Sequence, residues 1–188
     1  MINLSKITIQ EIKNGALKEI LPELYELEEV IENNGSHNNQ PVFEHILATL
    51  AALEQKTTSK RQLLFLATLL HDIGKKETLK KDGDIVRFPG HEAAGAEKLK
   101  TILSRFDLSD KDKETITAIV KNHGFFHNLL DKRATSDLSR EISEFRENNP
   151  EIFHEVVLLT IADLQGGHLM KNKSEEFNFR INFLSKII

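Results

Sequence analysis

The chain has 188 residues, 39% hydrophobic and 29% charged, with 25 Lys and Arg against 29 Asp and Glu for a formal net charge of −4. That is the composition of a globular chain with one core of ordinary size, and its slight acidity argues against a dedicated duplex-DNA binder, whose footprint is strongly basic. There is no cysteine, which excludes disulfides, thiolate zinc sites, Fe–S clusters and cysteine nucleophiles and leaves His and carboxylates as the only strong metal ligands.

In chain order, the first 13 residues alternate charged and apolar side chains and lack the continuous apolar stretch of a secretory signal. The longest uncharged apolar runs, 46–53 and 63–70, have eight residues each, against roughly 18 or more for a membrane span. The expectation is a cytoplasmic protein without membrane contact. Leu24, Leu27 and Ile31 are spaced to share one face of a helix opened by Pro22. The polar stretch 33–40, NNGSHNNQ, reads as a loop, and Pro41 suits the first turn of a helix over 41–54.

Residues 61–70 are apolar around nearly the whole circumference after the first two positions, which predicts a central helix packed on all sides and stopped at Gly74. The Asp82-Gly83 pair predicts a small β-hairpin near residues 78–88. Helical periodicity resumes over 91–106 and again from Ser109, where Ser109-x-x-Asp112 resembles a capping box, until Gly124. Further helices are expected over 139–147, 151–169 and 174–188. The reading is all-α and a single domain over 1–188, with a core of about 21–170 and short helical extensions at both ends.

Eight histidines without a cysteine raise the question of metal. His45 shares a stripe with Val42, Ala48 and Ala52, and His123 with Ile116, Ile119 and Val120, so both should point inward. Asp163 falls on the face of Val156, Leu159 and Thr160, with no Lys or Arg within a turn. A buried carboxylate there must be neutralised, paired or metal-bound. His71 and Asp72 diverge by about 100° on a helix, yet at a helix end both can reach one ion. His91 follows Pro89-Gly90 on the stripe of Gly95, Leu99 and Ile102. His154, with Val157, Leu158 and Ile161, is as well placed as His45, so a stripe position alone is poor evidence for ligation. His127 is a packing or pocket residue one turn beyond His123, and His37 and His168 belong to the surface.

Lys75 lies three residues after Asp72. The stretch from Lys75 to Arg87 has five basic and three acidic residues, a locally positive segment that would steer anions. Gly95 stands where a zinc-protease helix opened by His91-Glu92 would need its second His, and no phosphate loop, nucleophile elbow or dinucleotide fingerprint is present.

The order H…HD…H…H…D is filled by His45, His71-Asp72, His91, His123 and Asp163. With L-L-H-D-I-G-K at 69–75, G-H-E-A-A-G-A at 90–96, V-K-N-H at 120–123 and A-D-L-Q-G at 162–166, it resembles the HD-domain superfamily of metal-dependent phosphohydrolases. L-P-E-L at 21–24, V-F-E-H at 42–45 and F-P-G-H-E-A-A-G-A at 88–96 are similar to the HD domain carried by bacterial tRNA nucleotidyltransferases. No Gly-Ser segment is closely followed by Asp-x-Asp as in a nucleotidyltransferase head, so the expectation is a freestanding HD hydrolase rather than a CCA-adding polymerase.

The resemblance implies a helical HD bundle and a divalent ion (Mn, Mg, Ni, Co, Zn or Fe) held by His45, His71, Asp72 and Asp163. It gives His91 and His123 either a second ion or the scissile phosphate. It makes Asp72, Lys75, His91 and His123 the catalytic set, with Lys75 and Arg133 binding substrate. The implied reaction is hydrolysis of a phosphate mono- or diester of a small nucleotide-like substrate, of the 2′,3′-cyclic phosphodiesterase, nucleotidase or phosphatase type. Two alternatives stay open, an HD-fold di-iron oxygenase and a non-catalytic nucleotide- or RNA-binding sensor; the net acidity disfavours extended RNA contact.

Overall fold

A computed structural model of the chain describes residues 7–34, 37–53, 58–83, 85–135 and 137–188. Among these residues the fold is all-α apart from two short hairpins. Helix α1 (Ile9–Lys13) opens on a capping box in which Thr8 and Glu11 satisfy each other's backbone N–H. Pro22 opens α2 (Pro22–Tyr25), which tightens into a 3-10 turn over Glu26–Glu28. Tyr25 ties this region together by donating its hydroxyl to Ile12 O at 2.7 Å and accepting from Leu17 N.

The helix expected to run on to Ile31 stops here. Ile31 instead begins β1 (Ile31–Asn34), which pairs antiparallel with β2 (His37–Pro41), so the stretch expected as a loop is largely a hairpin. Its sequence is mostly polar, so the apolar/polar alternation that betrays a strand is missing. The register slips between Glu32↔Gln40 and Asn33↔Asn38. The extra residue is Asn39, with φ 50°, a conformation Asn tolerates better than most.

Then come α3 (Val42–Leu53) and α4 (Arg61–Leu70), the latter buried from Leu66 to Leu70 without interruption as its composition predicts. A turn through His71 to Gly74 leads to α5 (Lys75–Thr78) and the expected second hairpin, β3 (Lys80–Asp82) with β4 (Ile85–Arg87). Gly74 is therefore not simply a helix stop. A Cβ on it would lie 2.3 Å from His91 O and 2.4 Å from Gly95 N, so it lets the turn lie directly against the next helix, α6 (His91–Ile102).

Ser109 caps α7 (Asp110–Asn122), accepting from Asp112 N as predicted. Short α8 (Phe125–Asp131), α9 (Leu138–Asn148), the long α10 (Phe153–Gly166), α11 (Leu169–Asn172) and α12 (Ser174–Ile187) complete the chain. The core is centred on α10 against α3, with α4 and α6 packed on α7. Gly166 makes the first of these contacts possible, because a Cβ there would lie 2.7 Å from Thr49 N. Two helices that carry His45 and Asp163 are thereby held side by side.

Candidate metal centre

Five elements deliver polar side chains to one interior point. His45 comes from the first turn of α3, His71 and Asp72 from the end of α4, His91 from the first residue of α6, His123 from the end of α7, and Asp163 from the last turn of α10. His45, His71, Asp72 and His123 are all at most 3% exposed. All six motif residues singled out in the sequence are brought together.

Asp72 is the hub. Its Oδ2 lies 3.2 Å from His71 Nε2 and 3.8 Å from His45 Nε2, while its Oδ1 lies 3.5 Å from His91 Nε2 and 3.8 Å from His123 Nε2. Two compact sets of ligand atoms result, His45/His71/Asp72 and Asp72/His91/His123, sharing the one carboxylate. Asp163 is held by an imidazole on each oxygen, His45 Nε2 on Oδ1 at 2.7 Å and His127 Nε2 on Oδ2 at 2.8 Å.

Three of the rings are oriented by the same local device. The Nδ1 atoms of His71, His91 and His123 lie 2.7, 2.9 and 2.7 Å from the carbonyls of Thr68, Phe88 and Val120, each three residues earlier. A carbonyl only accepts, so each Nδ1 carries the proton and each Nε2 turns to the centre.

A divalent ion fits these donors. His71 Nε2 is buried and makes no hydrogen bond of its own. His91 Nε2 and His123 Nε2 face each other at 3.1 Å, which for two neutral rings sets lone pair against lone pair. Two nitrogens at about 2.0–2.1 Å from one ion stand about 2.9 Å apart at a right angle and about 3.3 Å apart at a tetrahedral one, so the observed spacing suits two ligands of one cation. The described residues thus include a His/Asp cluster able to hold a divalent metal.

The electrostatics agree. Burial works against a charged His71, but the carboxylates of Asp72 and Asp163 outweigh it and raise this imidazole to about 9; the pocket is built for positive charge on that nitrogen, whether a proton or an ion supplies it. Burial and the neighbouring His71 and His91 push His123 down to about 3, which keeps it neutral. Burial opposes ionisation of Asp72 and Asp163 too, yet His71 and Lys75 around the first, and His127 and His45 around the second, hold both carboxyls well below the usual range.

Asp72, His91, His123 and Asp163 of the cluster line an open cavity of about 1110 Å³. Lys75 lines it but is 7% exposed, with Nζ 2.7 Å from Asp72 Oδ2 and 2.5 Å from Glu32 Oε1. Arg133 lines it too, clasping Glu176 with both terminal nitrogens and stacking on Phe179 at 4.8 Å. Arg180, which the sequence did not single out, joins it there by pairing with Glu176 and Asp131. His154 is turned away, with 44% of its side chain exposed, and His168 is half-buried rather than at the surface. Glu32 gave no sequence signal, whereas the i+4 spacing of His127 from His123 did mark it as a pocket candidate.

The sequence pattern of the HD domain family matches residues 42–164, the interval from α3 to the end of α10 that bears every one of the six clustered residues. The chain belongs to the HD domain family. Among curated relatives, an A-adding tRNA nucleotidyltransferase of Deinococcus radiodurans is 39% identical over 111 residues, 58% of this chain and 25% of that protein. A multifunctional CCA protein of Mannheimia succiniciproducens is 28% identical over 158 residues, 81% of this chain and 36% of its own. A bifunctional uridylyltransferase/uridylyl-removing enzyme of Ruegeria pomeroyi is 26% identical over 171 residues, 81% of this chain and 18% of its own. This HD chain therefore spans well under half the length of the relatives it matches. Among the described residues no helix is long and apolar enough to cross a membrane.

Proposed function

We propose that this HD domain, acting as one domain in the cytoplasm, is a metal-dependent phosphohydrolase that cleaves a phosphate mono- or diester of a nucleotide, of the 2′,3′-cyclic phosphodiesterase, nucleotidase or phosphatase type. The observation that carries the reading is the pair of His/Asp ligand sets sharing Asp72, a residue that lines the cavity. His45, His71, Asp72 and Asp163 would hold one divalent ion, and His91 and His123, with the second oxygen of Asp72, a further one or the phosphate itself. A bound divalent ion supplies Lewis-acid polarisation of a phosphoryl oxygen and a lowered pKa for nearby water.

The chain's own residues prepare the rest. His127 fixes the Asp163 carboxylate by holding Oδ2, leaving Oδ1 toward His45. His123, kept neutral, presents its Nε2 lone pair rather than a proton. His91, 18% exposed, is the cluster imidazole that faces the cavity most openly. Ile85, Val86 and Phe88 give the cavity apolar lining suited to a base, and Arg133 and Arg180, both paired with carboxylates, add cations to the same lining for a substrate anion. A cavity slightly larger than the usual small-ligand range of roughly 300–1000 Å³ has room for a nucleotide.

The test is a metal-by-substrate screen on chelator-stripped protein, with Mn, Mg, Co, Ni, Zn and Fe against phosphomonoesters, phosphodiesters and 2′,3′-cyclic nucleotides, and Asp72→Ala as control. Turnover restored by an ion and absent in the variant is expected. No turnover with any ion overturns the reading; nucleotide binding without turnover would then indicate a sensor, and O₂ uptake by the iron-loaded chain a di-iron oxygenase.

A further inference from the structure

Lys75 is enclosed by three partners, Asp72 Oδ2, Glu32 Oε1 and the ring of Phe88, whose centroid lies 5.3 Å from Nζ. Glu32 is 1% exposed, and it comes from β1, ahead of the residues that match the HD family. The register shift beside Glu32, whose extra residue Asn39 is on the opposite strand, is the kind of irregularity found next to functional sites. The oxygen that Lys75 holds is also the oxygen that faces His71 and His45. An ammonium and a divalent ion at that position would therefore compete for one atom.

We propose that Glu32 is a positioning residue that receives the Lys75 ammonium when a divalent ion takes Asp72 Oδ2. The inference rests on the reading of the cluster as a divalent-metal site. Lys75 keeps its hydrogen bond to Glu32 and its place over Phe88 and releases Asp72. It stays protonated throughout, and the exchange leaves a neutral Lys75–Glu32 pair beside the ion-bound carboxylate. With a neutral amide at position 32 the ammonium has Asp72 as its one anionic partner in this triad, stays on it, and opposes the ion by both occupancy and charge. Two of the three Lys75 N–H groups are committed in this arrangement, which makes Lys75 a gatekeeper of Asp72 before it is a phosphate contact.

The experiment is a Co²⁺ titration of chelator-stripped full-length protein, followed by calorimetry and visible absorption, on wild type, Glu32→Gln, Lys75→Met and the double variant. Glu32→Gln should bind Co²⁺ about 10- to 100-fold more weakly, the usual effect of removing an outer partner of a metal ligand. Lys75→Met should bind at least as tightly as wild type, and the double variant should return to within about threefold of wild type. A merely structural role for Glu32 cannot give that rescue, because the double variant removes one more buried partner. Wild-type affinity in Glu32→Gln, or a double variant as weak as Glu32→Gln, overturns the proposal. If Glu32→Gln loses its helical circular dichroism, Glu32→Asp takes its place; it keeps the charge at shorter reach and should weaken Co²⁺ measurably, with Lys75→Met restoring it, and an unweakened Glu32→Asp overturns the proposal. Because no substrate is present, the rescue pattern stands even if the chain hydrolyses nothing, whereas wild type that binds no Co²⁺ overturns both readings.

Discussion

Gly74→Ala should damage stability and the cluster together, for a reason that the backbone conformation of Gly74 does not supply. Its φ of −89° is open to any residue, so the substitution is not strained locally. The obstacle is α6, because the new Cβ would lie 2.3 Å from His91 O and 2.4 Å from Gly95 N, both backbone atoms that no rotamer change can move. Restoring ordinary contact requires the helix to retreat by about 1 Å. Overpacking of this kind costs about 1–3 kcal/mol, and the upper end applies where the clash is with backbone. For a chain of this size each kcal/mol lowers the melting temperature by about 2–4 °C, so a fall of about 6–12 °C is expected by scanning calorimetry. His91 rides on the displaced segment, and a misplacement of about 1 Å typically costs about 100-fold in kcat/KM, measured with metal-loaded protein well below both melting temperatures. A melting temperature within about 2 °C of wild type would refute the close-approach reasoning.

Asp72→Ala removes the carboxylate common to both ligand sets, so it should lower Co²⁺ affinity at least about 100-fold while far-UV circular dichroism stays near wild type; retained affinity would show that the two sets do not depend on it. His127→Ala, which strips one imidazole from Asp163, should weaken Co²⁺ by about tenfold, with His127→Gln closer to wild type if the hydrogen bond is what counts. The stability of chelator-stripped protein should peak near pH 6.5. Above it, His71, raised from 6.5 to about 9, loses the proton that stabilises the folded state as pH passes through 9. Below it, the unfolded chain takes up a proton that His123, depressed to about 3, refuses in the folded state, and below the ordinary carboxylate value the contribution of Asp72 and Asp163 is lost as well. Melting curves from pH 4 to 10 check this, and a melting temperature that climbs steadily from pH 6.5 to 9 contradicts it. Saturating Co²⁺ should flatten the alkaline side, since the ion replaces the proton on His71.

The clustered residues were legible because each lies at a helix end with its apolar neighbours at helical spacing, and helix geometry converts that spacing into direction. His154 shows the limit of the same rule. Its helix is buried on most of its circumference, so several stripes look equally internal, and only the packing of α10 on α3 decides that Asp163 turns to the centre while His154 is 44% exposed. The hairpin over 31–41 was illegible for a different reason. A strand announces itself by alternation, and this one has polar residues on both faces because its neighbours are another hairpin and a buried lysine. Glu32 and Arg180 belong to the same class. Glu32 pairs with Lys75, 43 residues away, and Arg180, besides its local partner Glu176 at i−4, pairs with Asp131, 49 residues away, and no local pattern encodes such distant pairings.

The carbonyls that orient the imidazoles carry a consequence for motion. Thr68 O and Val120 O belong to the last turns of α4 and α7, where the helix itself leaves carbonyls without a partner, and His71 and His123 supply the missing donor. The bond that ends each helix is thus the bond that aims each nitrogen. Unravelling of either last turn and misdirection of its ligand become a single event, so whatever grips the Nε2 atoms also winds the helix shut, and amide exchange at those two helix ends should slow in step with occupancy of a centre several ångströms away.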